Sequence, residues 1–338
     1  MSSLPLLPEA QPRLVGIARL AAQGESVREG HQVEYFTLPV RSLLNRALSR
    51  RQLPFTWTIN PYRGCEFACK YCYARYTHEF MEMRNGIEFE QKIYVKQHAG
   101  ELLRQELSKV KPHEEIAIGT ATDPYQPIER ELGITRAILE EFARHSGFRL
   151  GIVTKSAIVV RDIDLLREIS GRNSVSVSFT ITTTDCDLAR ILEPRAPRPD
   201  LRLEALGKLR QAGIRGGVIC APVLPGITDR GGQLEAVVKS AAEAKANYIH
   251  ANPLFLKPSS AAVFLPFLNE HFPELVRDYE RRFERRAFLP PAYRKRISDL
   301  VRKLRKKHGI EEESRFDWPK AIAAGNPQLN LFESTTPP

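Results

Sequence analysis

The stretch NPYRGCEFACKYCYAR, residues 60–75, contains three of the five cysteines in the chain, at the spacing C-x3-C-x2-C: Cys65, Cys69 and Cys72. Thiolates are soft ligands that suit zinc or an iron–sulfur cluster. A structural zinc site usually has four protein ligands, and neither His78 nor His98 stands at a customary distance for the fourth. A cluster held by three cysteines keeps one iron open for a small molecule. The spacing therefore favours a cluster over a zinc site made of three cysteines and a histidine.

The sequence around the cysteines predicts an α/β fold. Short runs rich in apolar and β-branched residues occur at 55–60, 114–121, 149–155, 174–182, 216–223 and 248–255. Helical spacing between these runs is clearest at 99–110, 135–146 and 202–213. Because each crossover must cover one face of the sheet, this alternation is typical of a parallel sheet. Periodicity alone does not choose between an open twisted sheet and part of a (β/α) barrel.

Composition narrows the class of protein. The 338 residues are 42% hydrophobic and 27% charged, which is typical of a globular protein. No apolar run approaches the roughly 18–20 residues of a membrane span, and the N-terminus lacks the layout of a secretory signal. An odd number of cysteines with three in one cluster does not indicate a disulfide framework. We therefore expect a cytoplasmic protein without membrane association.

The cysteine segment resembles the signature of the radical S-adenosylmethionine (AdoMet) enzymes. Four segments resemble the spore photoproduct lyase-like branch of that superfamily: NPYRGC (60–65), YCYAR (71–75), TDPYQPIE (122–129) and EPRAP (193–197). The resemblance covers about residues 40–310. It implies a partial (β/α)6 barrel whose three cysteines bind a [4Fe–4S] cluster with one iron open for AdoMet. Reductive cleavage would then give methionine and a 5′-deoxyadenosyl radical that abstracts hydrogen from the substrate.

The same resemblance implies which residues meet AdoMet. Tyr71, just before the third cysteine, is expected against the adenine. The segment GTATDP at the end of strand two departs from the usual Gly-Gly-Glu-like motif, and its candidates for the methionyl amino group are Thr120, Thr122 and Asp123. Candidates for the carboxylate or ribose are Lys155, Ser156 and Ser178. Each hydroxyl could equally be an ordinary strand-end cap, and Arg195 either binds a carboxylate or pins its loop to the barrel.

Two residues bear on the substrate radical. Tyr73 stands where the photoproduct lyases have a tyrosine that relays a hydrogen atom. Those enzymes also use a cysteine near the end of strand two, and residues 118–123 contain none, which argues against repair of the spore thymine dimer. Cys220 could replace that thiol if it faces the barrel interior, although a cysteine in an apolar strand more often packs in the core. Cys186 is no stronger a candidate.

The chain divides into four predicted parts: an N-terminal extension at 1–50, the barrel at 51–260, a helical basic extension at 261–310 and a tail at 311–338. Residues 277–308 carry 13 Lys and Arg against 4 Asp and Glu, nearly all of the net charge of +10. The spacing of the apolar residues predicts a stripe that docks on the barrel: Ile297, Leu300, Val301 and Leu304. The basic side chains expected to meet phosphates are Arg296, Lys303, Lys306 and Lys307. The alternative is a solvated helix face.

The tail contains QLNLF, residues 328–332, which resembles the pentapeptide that binds the bacterial DNA sliding clamp. In peptide capture of this kind, apolar side chains fill a pocket and an amide hydrogen-bonds at its edge. The clamp-binding candidates are Gln328, Leu329, Leu331 and Phe332. The alternative is that the same apolar residues fold back onto the body as a latch.

Together these features predict a radical AdoMet enzyme that repairs or modifies DNA, associates with the sliding clamp and takes electrons from a donor such as flavodoxin or ferredoxin. One alternative keeps the chemistry but changes the substrate to RNA, a peptide or a metabolite. A second is a non-catalytic iron–sulfur module that binds nucleic acid.

Overall fold

The computed structural model describes residues 14–30, 32–47, 53–111, 114–284 and 286–310. In these ranges the strands are β1 Ser26–Gly30, β2 Val33–Leu38, β3 Leu44–Arg46, β4 Trp57–Ile59, β5 Tyr62–Arg63, β6 Lys92–Lys96, β7 Glu115–Ile118, β8 Arg149–Thr154, β9 Ser174–Thr180, β10 Arg215–Val223 and β11 Tyr248–Pro253. The α-helices are α1 Gly16–Ala22, α2 Glu88–Gln91, α3 Ala99–Glu106, α4 Glu129–Leu132, α5 Ile134–Ala143, α6 Ile163–Ser170, α7 Cys186–Leu192, α8 Pro199–Gln211, α9 Gly231–Glu243, α10 Pro258–His271, α11 Val276–Phe283 and α12 Pro291–Lys307. The 3-10 helices are Tyr73–Met81, Leu107–Lys109, Ala157–Asp162 and Pro273–Leu275.

The main sheet has seven strands in the order β3, β4, β7, β8, β9, β10, β11. The strands from β4 to β11 in that order are mutually parallel, and β3 is antiparallel to β4. These six parallel strands coincide with the six predicted apolar runs and confirm the α/β fold of the partial (β/α)6 type. Strands buried on both faces read as continuous apolar runs, which is why the sequence located them.

Two neighbouring glycines in β10 show which face of the main sheet is covered by helices and which faces the lumen. A Cβ atom on Gly216 would lie 2.7 Å from Cδ1 of Leu206 on α8, so this residue faces the helices. A Cβ atom on Gly217 would lie 2.4 Å from the ring of Tyr248, so this residue faces the opposite side, the lumen. Successive residues of a strand point to opposite faces. On the helix-facing side the buried core includes Val177, Val218 and Ile249.

Tyr248 fills the lumen at the level of Gly217. Its hydroxyl lies 2.9 Å from Oγ of Ser178 and donates to Oγ of Ser176 at 3.3 Å, so the ring spans from β11 across β10 to β9. All three side chains are buried. These residues form the floor of the lumen.

A second sheet, in the order β1, β2, β6, β5, lies beside the barrel. Its strands β2 and β6 are parallel, and the outer pairs are antiparallel. The predicted N-terminal extension therefore contains regular structure that the sequence did not reveal, including β3, which pairs with the barrel strand β4. The second sheet matters for function because β5 leads directly into the cysteine segment.

The C-terminal extension is helical, as predicted, and α12 packs on β11 and α9. Its apolar stripe is confirmed: Ile297, Val301 and Leu304 are buried, and Leu300 is half-buried. Among the described residues, no helix has the length and apolar character to cross a membrane.

The close approach at Gly217 generates a stability prediction. Gly217→Ala should lower the thermal midpoint of the anaerobically reconstituted protein, because the added methyl group overlaps the Tyr248 ring and overpacking costs about 1–3 kcal/mol. Gly207→Ala is the matched control: a Cβ there meets nothing within 4 Å, and alanine favours the helix by about 0.5–1 kcal/mol. A midpoint that does not fall for Gly217→Ala would contradict the floor described here.

Candidate functional site

The three clustered cysteines lie on the loop between β5 and the 3-10 helix Tyr73–Met81. All are free thiols; Cys69 is buried and the other two are half-buried. Burial raises the pKa of Cys65 well above its ordinary value, and Asp123 and the neighbouring Cys69 add to this. Burial also raises the pKa of Cys69 to about 12, with Lys155 opposing the shift. To bind as thiolates, these buried groups need a compensating positive charge, and thiolate ligands suit an iron–sulfur cluster.

The arrangement does not support a zinc site that includes a histidine. Over the residues whose structure is described, no three or more His, Cys, Asp or Glu side chains are grouped to hold a single metal ion. The ring nitrogen Nε2 of His78 lies 3.1 Å from the carbonyl oxygen of Lys92, and His98 is exposed beside Glu101. An iron–sulfur cluster differs from a single-ion site because its cysteine ligands are divided among several irons.

The start of the cysteine loop is fixed by a glycine. Gly64 has φ +85°, and a Cβ there would lie 2.7 Å from the carbonyl oxygen of Lys92. Only glycine fits this left-handed position at such close approach. The hydroxyl of Thr122 donates to the Gly64 carbonyl at 2.5 Å, and the amide of Cys65 donates to the Phe89 carbonyl at 3.0 Å. The loop is therefore held between the second sheet and the end of β7.

Buried side chains satisfy the backbone farther along the loop. Arg75 donates to the carbonyl of Cys69 at 2.9 Å and forms a buried ion pair with Glu90 at 2.5 Å. Ser260, on α10, donates to the carbonyl of Cys72 at 2.9 Å. Because the loop has no regular ladder of backbone hydrogen bonds, these side-chain contacts help to keep its buried carbonyls hydrogen-bonded.

A buried ion pair ties the loop to β9. Arg202 pairs with Glu193 and donates to the Thr180 carbonyl at 2.9 Å, while Glu193 also accepts a hydrogen bond from the Tyr71 hydroxyl. That hydroxyl lies 3.1 Å from Oγ1 of Thr182. Burial alone would raise the pKa of Glu193, but Arg202 and Lys155 lower it, so the carboxylate is charged.

Sequence reasoning missed this pair, although Glu193 opens the segment EPRAP that carried part of the resemblance. A glutamate within a matching segment was the available signal. Its partner Arg202 lies nine positions farther along the chain, outside any matching segment, and no feature of the sequence pointed to it.

Tyr71 and Lys155 meet at the carboxyl end of the main sheet. Nζ of Lys155 lies 5.8 Å from the centre of the Tyr71 ring. Lys155 continues the lumen-facing side of β8, because Val153 pairs with the lumen residue Ser178. Burial would lower the pKa of Lys155, but Cys69 and Glu193 outweigh it and raise the value. The structure thus brings together two residues predicted to contact AdoMet, Tyr71 and Lys155, near Cys69.

The predicted residues at the end of β7 serve as links within the site. Thr120 Oγ1 accepts from Nδ2 of Asn60 at 3.3 Å. The carboxylate of Asp123 accepts from Oγ1 of Thr154 at 2.7 Å, from the Lys155 amide at 2.7 Å and from the Tyr125 amide at 2.9 Å. Burial raises the pKa of Asp123, and these hydrogen bonds oppose the shift. Contact of these residues with AdoMet stays a prediction.

Three other residues predicted to contact AdoMet have their polar groups engaged in other contacts: Ser156, Arg195 and Ser178. Ser156 caps the 3-10 helix Ala157–Asp162, accepting from the Ile158 amide at 3.2 Å. Arg195 donates to the Glu90 carbonyl at 3.3 Å and to Gln32 at 3.2 Å, which fits the pinning role. Both line a cavity of about 540 Å3, whose other lining residues include Phe67 of the cysteine loop, Leu201 of α8 and Arg161. Ser178 belongs to the lumen floor, where Tyr248 occupies its hydroxyl.

The two residues predicted to handle the radical differ in placement. Tyr73 is 41% exposed at the carboxyl end of the barrel, and its hydroxyl donates to the Thr120 carbonyl. Cys220 is 1% exposed and shares the helix-facing side of β10 with Gly216 and Val218. Its position corrects the expectation of a hydrogen donor facing the barrel interior. The apolar residues around Cys220 in β10 are there because this side of the strand packs in the hydrophobic core.

The basic residues of α12 are only partly available to phosphates. Arg296 pairs with Asp229 at 2.9 Å and Lys307 with Glu235 at 2.6 Å, so both bind the barrel. Lys303 and Lys306 are exposed. The predicted clamp-binding residues, Gln328, Leu329, Leu331 and Phe332, lie outside the described residues.

Known proteins are similar to this chain in sequence over most of its length. The model of the radical SAM superfamily matches residues 59–239. An uncharacterised protein of Mycobacterium tuberculosis is 36% identical over 294 residues, which is 86% of this chain and 86% of that protein. An uncharacterised protein of Methanocaldococcus jannaschii is 30% identical over 253 residues, covering 74% of this chain and 86% of that protein.

Solved structures of spore photoproduct lyase have a similar fold. One variant of that lyase superposes with a TM-score of 0.59 at 14% identity, covering 90% of this chain and 86% of the lyase. Another variant, solved with bound AdoMet and dinucleoside spore photoproduct, gives a TM-score of 0.55 at 15% identity, covering 78% and 76%. At identities this low, the structural similarity shows a shared fold and nothing more specific.

The buried ion pair generates a prediction about the cysteine loop. Glu193→Ala should destabilise the protein by about 3–5 kcal/mol, because it leaves the Arg202 charge buried without its partner. It should also lower the iron content after anaerobic reconstitution, since Tyr71 loses its anchor. Thermal unfolding and iron analysis measure the two effects.

Two further variants separate charge burial from general damage. Glu193→Leu combined with Arg202→Met removes both charges and should recover much of the stability. Glu204→Ala removes an exposed acid on α8 that pairs with Lys208 at 2.6 Å, and it should change stability by less than about 1 kcal/mol. Equal stability of Glu193→Ala and Glu204→Ala would contradict the role given to the buried pair.

Proposed function

We propose a DNA substrate for this chain, which belongs to the radical SAM superfamily. As a member of that superfamily it is an enzyme, and its cofactors are a [4Fe–4S] cluster and AdoMet. The ligands of the cluster are proposed to be Cys65, Cys69 and Cys72. Membership as an enzyme sets aside the non-catalytic iron–sulfur module considered from the sequence.

The cofactors supply a carbon-centred radical that removes a hydrogen atom from the substrate. The chain positions and encloses them. Glu193 and Arg202 hold Tyr71 in place beside Cys69. Lys155, whose Nζ lies 5.8 Å from the centre of the Tyr71 ring, would present a cation to the carboxylate of AdoMet. The floor residue Tyr248 excludes water from the amino end of the lumen.

The observation that carries the DNA proposal is the exposed Tyr73 at the barrel mouth, directly after the third cysteine. The fold around it is shared, over nine-tenths of the chain, with lyase structures that include a complex with dinucleoside spore photoproduct. Tyr73 is proposed to exchange a hydrogen atom with the DNA substrate. Because residues 118–123 contain no cysteine and Cys220 faces the helices, we propose a lesion or base modification other than the spore photoproduct.

Association with the sliding clamp is the second part of the proposal. It is supported by QLNLF at residues 328–332 and by the exposed lysines Lys303 and Lys306 on the preceding helix. A clamp-bound enzyme would be concentrated on DNA without sequence-specific contacts of its own. The proposed reductant is a flavodoxin or ferredoxin.

The first test measures 5′-deoxyadenosine from reconstituted, reduced enzyme with AdoMet, alone and with undamaged, ultraviolet-irradiated or alkylated DNA. We expect formation to rise at least several-fold with one DNA sample. Tyr73→Phe should lose most of the DNA-dependent conversion while still releasing 5′-deoxyadenosine, because the ring remains but the transferable hydrogen is gone.

The control variants define the outcomes. Cys65→Ala combined with Cys69→Ala and Cys72→Ala should abolish cleavage, whereas Cys220→Ala should retain it. Cleavage that no DNA sample changes would overturn the DNA proposal and favour RNA, a peptide or a metabolite.

The clamp proposal has its own test. Leu331→Ala combined with Phe332→Ala should weaken binding of the full chain to a bacterial sliding clamp by about tenfold or more, because it empties the apolar pocket. Surface-immobilised clamp gives the affinity directly. Ser334→Ala, next to the motif, is the matched control and should bind normally; equal binding by the double variant would show that QLNLF is not the contact.

A further inference from the structure

Five aromatic side chains form a continuous strip beside the barrel mouth, and we call them the aromatic strip: Tyr73, Tyr76, Phe80, Phe255 and Phe288. The first three belong to the 3-10 helix Tyr73–Met81 that follows the cysteines. Phe255 follows β11, and an isolated β-bridge joins it to Phe288. The strip therefore connects the cysteine loop to the end of the last barrel strand.

The rings of the aromatic strip are close enough to act as one surface. Phe80 and Tyr76 have centroids 6.0 Å apart, and Tyr73 and Phe255 have centroids 6.3 Å apart. Phe255 and Phe288 are stacked at 4.0 Å with planes 20° apart. Lys257 joins the two halves: its Nζ lies 3.4 Å from the Tyr76 ring centre and 5.9 Å from that of Phe255.

Much of this surface is open to solvent. Phe80 is 61% exposed and Tyr73 is 41% exposed, while the other three rings are half-buried. A soluble protein gains by burying such side chains, so a contiguous exposed group of them marks a binding surface. A strip of single rings interrupted by a cation differs from the broad apolar core of a protein interface.

We propose that the aromatic strip binds unpaired bases of the DNA strand next to the nucleotide that enters the barrel. This inference rests on the proposed DNA substrate. Bases stack on aromatic side chains whatever their identity, and a nearby cation attracts the phosphates. An enzyme that reacts with a base must take that base out of the duplex. The strip begins at Tyr73, next to the third cysteine. Bases that flank the reacting nucleotide can therefore stack close to the point where that nucleotide leaves the duplex.

The test uses full-length reconstituted protein and a single-stranded oligonucleotide of about 12 nucleotides with one 2-aminopurine, whose fluorescence falls on stacking. Wild-type protein should quench this fluorescence. Phe80→Ala and Tyr76→Ala should each weaken binding by about 5-fold to 150-fold, the range for loss of one stacked base, and should reduce the quenching at saturation. Phe80→Trp should restore both.

Leu53→Ala is the matched control, because Leu53 is an apolar side chain that is 43% exposed and lies before β4, outside the aromatic strip. It should bind and quench as wild type. An oligonucleotide with an abasic site at the probed position should lose the difference between wild type and Phe80→Ala, which separates stacking from general charge attraction.

The outcomes distinguish this inference from the proposed function. If DNA stimulates 5′-deoxyadenosine formation but both alanine variants bind and quench normally, the strip proposal is wrong and the DNA substrate stands. A strip that pairs two copies of the chain would give this same binding result, with a changed elution volume for Phe80→Ala. If wild-type protein neither binds DNA nor responds to it, both proposals fall.

Discussion

The buried ion pair between Glu193 and Arg202 is the interaction on which the site depends. Removing two charges from water costs several kcal/mol per ion, and the mutual attraction offsets this only where the remaining polar atoms are also paired. Arg202 meets that condition through the carbonyls of Thr180 and Pro197. Glu193 meets it through the Tyr71 hydroxyl. The pair therefore joins β9, the segment after α7 and the cysteine loop into one unit.

The same requirement shapes the rest of the loop. The cysteine segment forms neither a helix nor a strand, so several of its carbonyls need partners from outside. Thr122, Arg75 and Ser260 supply them from three different elements. The loop is irregular in form, yet it is fixed from several directions, which preorganises ligands more effectively than a free loop would.

The features of the fold and site that could be predicted are those whose evidence lies in a short stretch of the sequence. The barrel strands are short apolar runs, and the cysteines reveal themselves by spacing, so both were found from the sequence. The second sheet was missed because β5 has two residues and β2 pairs with a strand far along the chain. The Glu193–Arg202 pair and the face occupied by Cys220 depend on packing, because an apolar strand buried on both sides gives no sign of which residue faces the lumen.

The floor formed by Tyr248 also has a kinetic consequence. Because the ring occupies the space above Gly217, it fills the lumen near the amino ends of the strands, and the carboxyl ends remain as an approach to the cysteine loop. A cavity that is entered and left at one end imposes a compulsory order. If a substrate covers that opening, AdoMet would have to bind before it, and methionine would leave after it. A missing side chain in β10 thus helps to determine the sequence of binding and release.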